Sequence, residues 1–162
     1  MKNYVKLIAL FMLVPAAGTF AQNADTSAAP VAYNSADIKW VDAPPLPKGA
    51  KMAVLAGNPA ESGPFTMRLK FPAGFDIKPH RHTKGEQVTV IQGTLFCGTG
   101  EQFSREKATL ALTPGGFAAL PGPVAHFAYT KEEVIIQVNG VGPFDITYVN
   151  EADDPRKNGN KQ

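Results

Sequence analysis

Short apolar runs, interrupted every few residues by glycine or proline, constrain this chain more than any other feature. Fifteen glycines and fourteen prolines are spread through its 162 residues. Between them lie strand-like runs at 38–41, 52–56, 65–71, 86–92, 94–98, 108–112, 117–120, 125–129, 134–138 and 144–149. No long stretch repeats its apolar residues at the helical period, and no internal repeat is present. Many short strands at close spacing predict an all-β sandwich or barrel. Met67, Leu69 and Phe71 alternate with Arg68 and Lys70, which predicts a strand with one wet face. Val134, Ile135 and Ile136 are apolar without alternation, as in a strand between two packed layers.

The ends read differently. Lys2 and Lys6 precede a short apolar run, Leu7 to Val14. Pro15 and Gly18 follow, and Thr19-Phe20-Ala21 closes on small residues at the right spacing. This order predicts a cleavable secretory signal over 1–21, too short to span a membrane. A buried N-terminal helix is the competing reading. Cleavage before Gln22 predicts a periplasmic or secreted protein, with a flexible leader over 22–36 and a polar tail over 150–162. The domain itself is expected over 37–149. The two lysines leave with the signal, so the sixteen basic residues become fourteen, against fourteen acidic ones. Zero net charge with no basic cluster excludes a nucleic-acid footprint. A single cysteine, Cys97, forms no internal disulfide, so stability must come from burial or from a metal.

The chemistry concentrates in the three histidines. His80 and His82 flank Arg81, and residues two apart on a strand share a face. Glu86 follows beyond the Thr83-Lys84-Gly85 turn. If it faces inward, so do Val88 and Val90, whereas the opposite phase would bury Gln87 and Thr89. Ile91 alone breaks that pattern. His126 lies some forty residues on and needs a strand that returns beside the first pair. Gly93, between two strand runs, suits a hairpin turn with positive φ. Cys97 shares a face with Leu95 and reads as a small buried residue, or as a thiol near the metal pocket. Trp40, Phe65, Phe71 and Phe103 are expected in the core, and Arg68, Lys70 and Arg81 in solvent. Tyr129, Phe96 and Gln137 are candidates for the pocket wall.

The segment Gly74-Phe-Asp-Ile-Lys-Pro-His80-Arg-His82-Thr-Lys-Gly-Glu86-Gln-Val-Thr-Val-Ile-Gln-Gly93 resembles the first cupin motif at every spacing. Gly115-Gly-Phe-Ala-Ala-Leu-Pro121-Gly-Pro-Val-Ala-His126 is similar to the second. It departs at Pro123, where the motif has glycine, and at Thr130, where it has asparagine. The resemblance implies a double-stranded β-helix, or jelly-roll, barrel. It also implies one divalent metal ion held by His80, His82, Glu86 and His126, with positions left open for water or substrate. The ion could be zinc, nickel, copper, iron or manganese. Export through the general pathway means metal uptake outside the cytoplasm, where intrinsic affinity favours copper and zinc. The resemblance therefore implies a metal-dependent enzyme acting on a small oxygen-bearing molecule: a dioxygenase, decarboxylase or isomerase. Glu86 is then a ligand and the candidate catalytic proton acceptor. The alternative is a non-catalytic periplasmic module that binds a small ligand or the metal itself. A weaker third reading is an accessory protein that forms a homodimer through its barrel edge.

Overall fold

The computed structural model describes residues 30–158. The expected signal and most of the leader lie outside the described residues. The strands are β1 (Val41–Asp42), β2 (Lys51–Ala56), β3 (Gly63–Phe71), β4 (Asp76–Arg81), β5 (Glu86–Gln92), β6 (Leu95–Thr99), β7 (Leu110–Leu112), β8 (Phe117–Leu120), β9 (His126–Thr130), β10 (Val134–Gly142) and β11 (Thr147–Tyr148). They form two antiparallel sheets, ordered β1-β2-β3-β10-β5-β8 and β11-β4-β9-β6-β7. This is the all-β jelly-roll barrel. The polar segment after Asn150 forms two short turns, Glu151–Asp153 and Pro155–Asn158.

The core lies between the sheets. Phe65, Met67 and Phe71 point inward from β3, Val88 and Val90 from β5, and Val134, Ile136 and Val138 from β10. The alternation seen in 65–71 is therefore the buried face of a long strand. On β5 the parity argument holds: Glu86, Val88 and Val90 are buried, and Gln87 is exposed. Ile91, which broke the pattern, is exposed.

A second, smaller cluster covers the outer face of β9. The polar loop after β6 carries Phe103 and Ala108, which pack on Phe127 and Tyr129. Strand β9 is thus buried on both faces, and all five of its residues are inaccessible. Phe103 belongs to this cluster rather than to the main core. Trp40 is only half-buried, with the Lys70 ammonium 4.7 Å from its ring centre. An aromatic near the chain's first short strand has too little sheet above it to be enclosed.

Gly93 turns β5 into β6 with φ +73°, and a Cβ there would stand 2.4 Å from the Glu133 carbonyl oxygen. Positive φ and close backbone approach both require glycine. Thr130, where the second motif has asparagine, is fully buried. Its hydroxyl donates to the Pro72 carbonyl at 2.7 Å and accepts from the Phe75 N–H at 3.0 Å. It ties down the loop that leads into β4.

Candidate metal centre

Strands β4 and β9 lie side by side, and His80 is the direct partner of His126. The pairing contains one irregularity. Ile77 opposes Ala128 and His80 opposes His126, so three steps on β4 match two on β9. This extra residue is a β-bulge, which resets the inward phase of the strand. Ile77 and His80 consequently line the same interior cavity although they are three apart. His82 follows just past the end of β4. Its backbone N–H donates to the Gly122 carbonyl at 3.0 Å. A Cβ at Gly122 would lie 2.7 Å from the Thr83 carbonyl oxygen and 2.8 Å from that of His82. The turn before His126 thus needs a glycine at 122, while Pro123 occupies the motif's own glycine position. Glu86 comes from the other sheet, as the first residue of β5.

These elements bring the three imidazoles together. One nitrogen from each of His80, His82 and His126 lies within 4.8 Å of the others, and all three residues are buried. Ring centres are 4.2 Å apart for His80 and His126, 5.0 Å for His80 and His82, and 5.2 Å for His82 and His126. Glu86 Oε1 stands beside this group, 3.2 Å from His126 Nε2 and 3.6 Å from His82 Nε2.

Backbone carbonyls fix the tautomers. His80 Nδ1 is 2.8 Å from the Lys78 carbonyl oxygen, His126 Nδ1 is 3.0 Å from that of Val124, and His82 Nδ1 bonds that of Asp145. A carbonyl can only accept, so each Nδ1 carries hydrogen, and in the neutral form of each ring Nε2 is the atom left with a lone pair for a ligand. The Nε2 atoms of His82 and His126 are buried without a hydrogen-bond partner. Both approach the Glu86 carboxylate closely, His82 at 3.6 Å and His126 at 3.2 Å, without a hydrogen bond to it. Buried unpartnered nitrogens are costly. Donors about 2.1 Å from a shared ion, at right angles to one another, stand roughly 3 Å apart. Atoms aimed at a common point rather than at each other fit a metal, and the nitrogen–carboxylate donor set suits a divalent transition ion.

Electrostatics separate the rings. Burial, aided by His126, pushes the His80 pKa down to about 3, so this ring is neutral. Burial also lowers His82, but the adjacent Glu86 carboxylate outweighs it and the net shift is upward. Burial raises Glu86, yet the His126 and His82 rings hold it well below the usual carboxylate range. Glu86 is therefore ionised.

The surroundings differ on the two sides. Inward, His80, Glu86 and His126 open on a cavity of about 150 Å³, walled by Ile77, Val88, Leu95, Leu112, Leu120 and Ile136, with Cys97 among them. Outward, His82 is covered by the segment after β10. Phe144 stacks on its ring at 4.5 Å. The Asp145 carboxylate accepts from Thr83 N at 2.8 Å and from Thr83 Oγ1 at 2.9 Å.

Several pocket expectations need correction. Tyr129 and Phe96 stack on each other at 4.8 Å in the second cluster, on the far face of β6 and β9. Gln137 lies on the outer face of β10 and bonds Asn139. None of the three lines the cavity; strand parity excludes them. Arg81 points away from the centre as expected, donating to the Pro123 carbonyl and pairing with Glu101. Cys97 combines both of its readings, being partly buried beside Leu95 and in the cavity wall. Sequence reasoning missed Leu112 and Leu120, which come from short strands, and Phe144 and Asp145, which no spacing marks.

A jelly-roll barrel with three histidines converging inside it is a cupin. The chain belongs to the family described as Domain of unknown function (DUF4437), a cupin-like family whose profile matches residues 16–147. Among solved structures it is similar to the polyketide cyclase RemF of Streptomyces resistomycificus, at 16% identity over 78% of this chain and 89% of that one, with a TM-score of 0.59. It is also similar to an RmlC-like cupin of Ralstonia eutropha, at 18% identity over 75% and 73% of the chains, TM-score 0.56. A chain from the crystal structures of the DMSP lyases RdDddP and RnDddQII gives 18% identity and TM-score 0.52; that match covers 66% of this chain and spans 58% of the other. At these identities the likeness concerns the fold. Comparison with curated proteins finds no match.

Proposed function

We propose that this cupin is a metal-dependent enzyme acting on a small oxygen-bearing molecule. In this reading His80, His82, His126 and Glu86 hold one divalent ion. The observation that carries it is the set of buried imidazoles whose Nδ1–H groups are committed to carbonyls, leaving Nε2 atoms turned to one centre. When bound, the ion supplies Lewis acidity toward a coordinated oxygen. The chain's own part is to hold the donors in place, to exclude water with an aliphatic wall, and to keep Glu86 ionised. Glu86 serves as the fourth donor and, when it leaves the ion, as a proton acceptor. The charged, apolar and small-residue order over 1–21 supports export to the periplasm or beyond, with copper or zinc favoured there by intrinsic affinity.

The second reading is a non-catalytic binder, favoured by the small size of the cavity. Turnover separates the two. The enzyme reading expects His82→Ala and His126→Ala each to lose both metal and turnover. Turnover unchanged in a metal-free preparation contradicts it. Ligand-dependent stabilisation of the metal-loaded protein without product favours the binder.

A further inference from the structure

The interior cavity restricts what can reach the metal centre. The candidate donors His80, Glu86 and His126 line it, with the neutral hydroxyls of Thr99 and Thr109. The body of the wall is aliphatic, from Ile77, Val88, Leu95, Leu112, Leu120 and Ile136. The lining holds no arginine and no carboxylate besides Glu86. Its one lysine, Lys107, is exposed to solvent. Cys97 adds no charge, because burial, followed by the Glu86 carboxylate, pushes its thiol up to about 12. A charge carried in among the aliphatic side chains finds no buried counter-charge there and is costly to desolvate. The volume is about 150 Å³, and a dry apolar cavity of about that volume takes a guest of benzene size.

We infer that the centre takes a ligand with an oxygen-chelating head and an uncharged apolar body no larger than about a benzene ring, seated between Val88, Leu112, Ala118 and Ile136. This rests on the metal-centre reading and names the ligand class of that site. Ala118 sets the depth. It faces Val88 across the β5–β8 ladder and lines the cavity with only a methyl group. Leu112, on the short strand β7, sets the width.

The test uses the cobalt(II)-loaded protein and four hydroxamic acids with one head and graded bodies: acetohydroxamic, benzohydroxamic, 4-carboxybenzohydroxamic and 2-naphthohydroxamic acid. Binding is read from the cobalt visible absorption and by calorimetry. Burying the ring should make benzohydroxamate bind at least tenfold more tightly than acetohydroxamate. The 4-carboxy and naphthyl compounds should bind at least tenfold more weakly than benzohydroxamate. Ala118→Leu should abolish the preference for the ring while acetohydroxamate affinity and cobalt content stay unchanged. Leu112→Ala should admit the naphthyl compound, so the inference survives if either variant fails to fold. Equal affinity for acetohydroxamate and benzohydroxamate, or for the carboxylated and plain rings, overturns the inference and leaves the metal centre standing. If the protein takes up no cobalt, or acetohydroxamate does not perturb the bound cobalt, the metal reading itself has failed.

Discussion

The two sides of the centre are built by different means. On the inner side, His80 and His126 are direct partners on neighbouring strands, and their surroundings are aliphatic. Strand register and core packing hold them. On the outer side, His82 lies past the end of its strand. It is held by polar and aromatic contacts from residues more than sixty positions away: the Asp145 carbonyl, the Asp145 carboxylate through Thr83, and the Phe144 ring. The inner side therefore couples the donors to global stability. The outer side can be loosened alone, so its variants should change metal affinity before they change folding.

The largest expected effect lies on the inner side. Ile136→Ala removes a buried side chain from the cavity wall and should cost about 2–4 kcal/mol in urea unfolding. Once folded and loaded, the variant should keep its metal stoichiometry. Loss of metal with little loss of stability would break the contrast.

On the outer side, Asp145→Ala should weaken metal binding by about 10–100-fold, as removal of a group that orients a ligand does. The melting temperature of the metal-free protein should move little. Competition titration against a chromophoric chelator reads the affinity. Asp145→Asn keeps an acceptor for the Thr83 N–H and should recover most of it. Equal losses in both variants would mean that charge, not orientation, is what matters.

A smaller effect concerns the chain's last turns. Arg156 bonds Asp154 at 2.8 Å and the Ile146 carbonyl at 3.0 Å, bracing the segment that covers His82. The Arg156 guanidinium holds Asp154 below its ordinary value. A lowered folded-state pKa contributes stability above the unfolded value of 3.8, and that stability is lost as pH falls through the folded value. The protection of the 146–156 amides, measured against their intrinsic exchange rates, should therefore fall below about pH 4, and Arg156→Ala should remove that acid step. The smallest effect is at Cys97. Its raised pKa keeps the thiol protonated, so alkylation by iodoacetamide at pH 8 should run at least about tenfold slower than for an exposed cysteine. Rapid alkylation would mean the inner cavity is wet.

Much of this arrangement was legible in the residues. The two-residue spacing of His80 and His82 put both on one face, and the parity of Val88 and Val90 turned Glu86 inward. Local alternation carries such information because burial follows it directly. The bulge in β4 was not legible. It depends on pairing with β9, about fifty residues later, and nothing near Ile77 announces it. The cover over His82 was equally silent, since Phe144 and Asp145 act through a backbone carbonyl and through contacts set by the tertiary fold. The cavity wall was legible only in part. Leu95 shares a face with Cys97 along one strand, but Leu112 and Leu120 enter from edge strands whose register is a property of the whole barrel.

The most direct test is elemental analysis of the protein purified from its native compartment without added metal or chelator, beside His126→Ala. The account predicts about one equivalent of a divalent metal in the wild type and loss of it in the variant. No metal in the wild type even after reloading, or wild-type stoichiometry in His126→Ala, would contradict it.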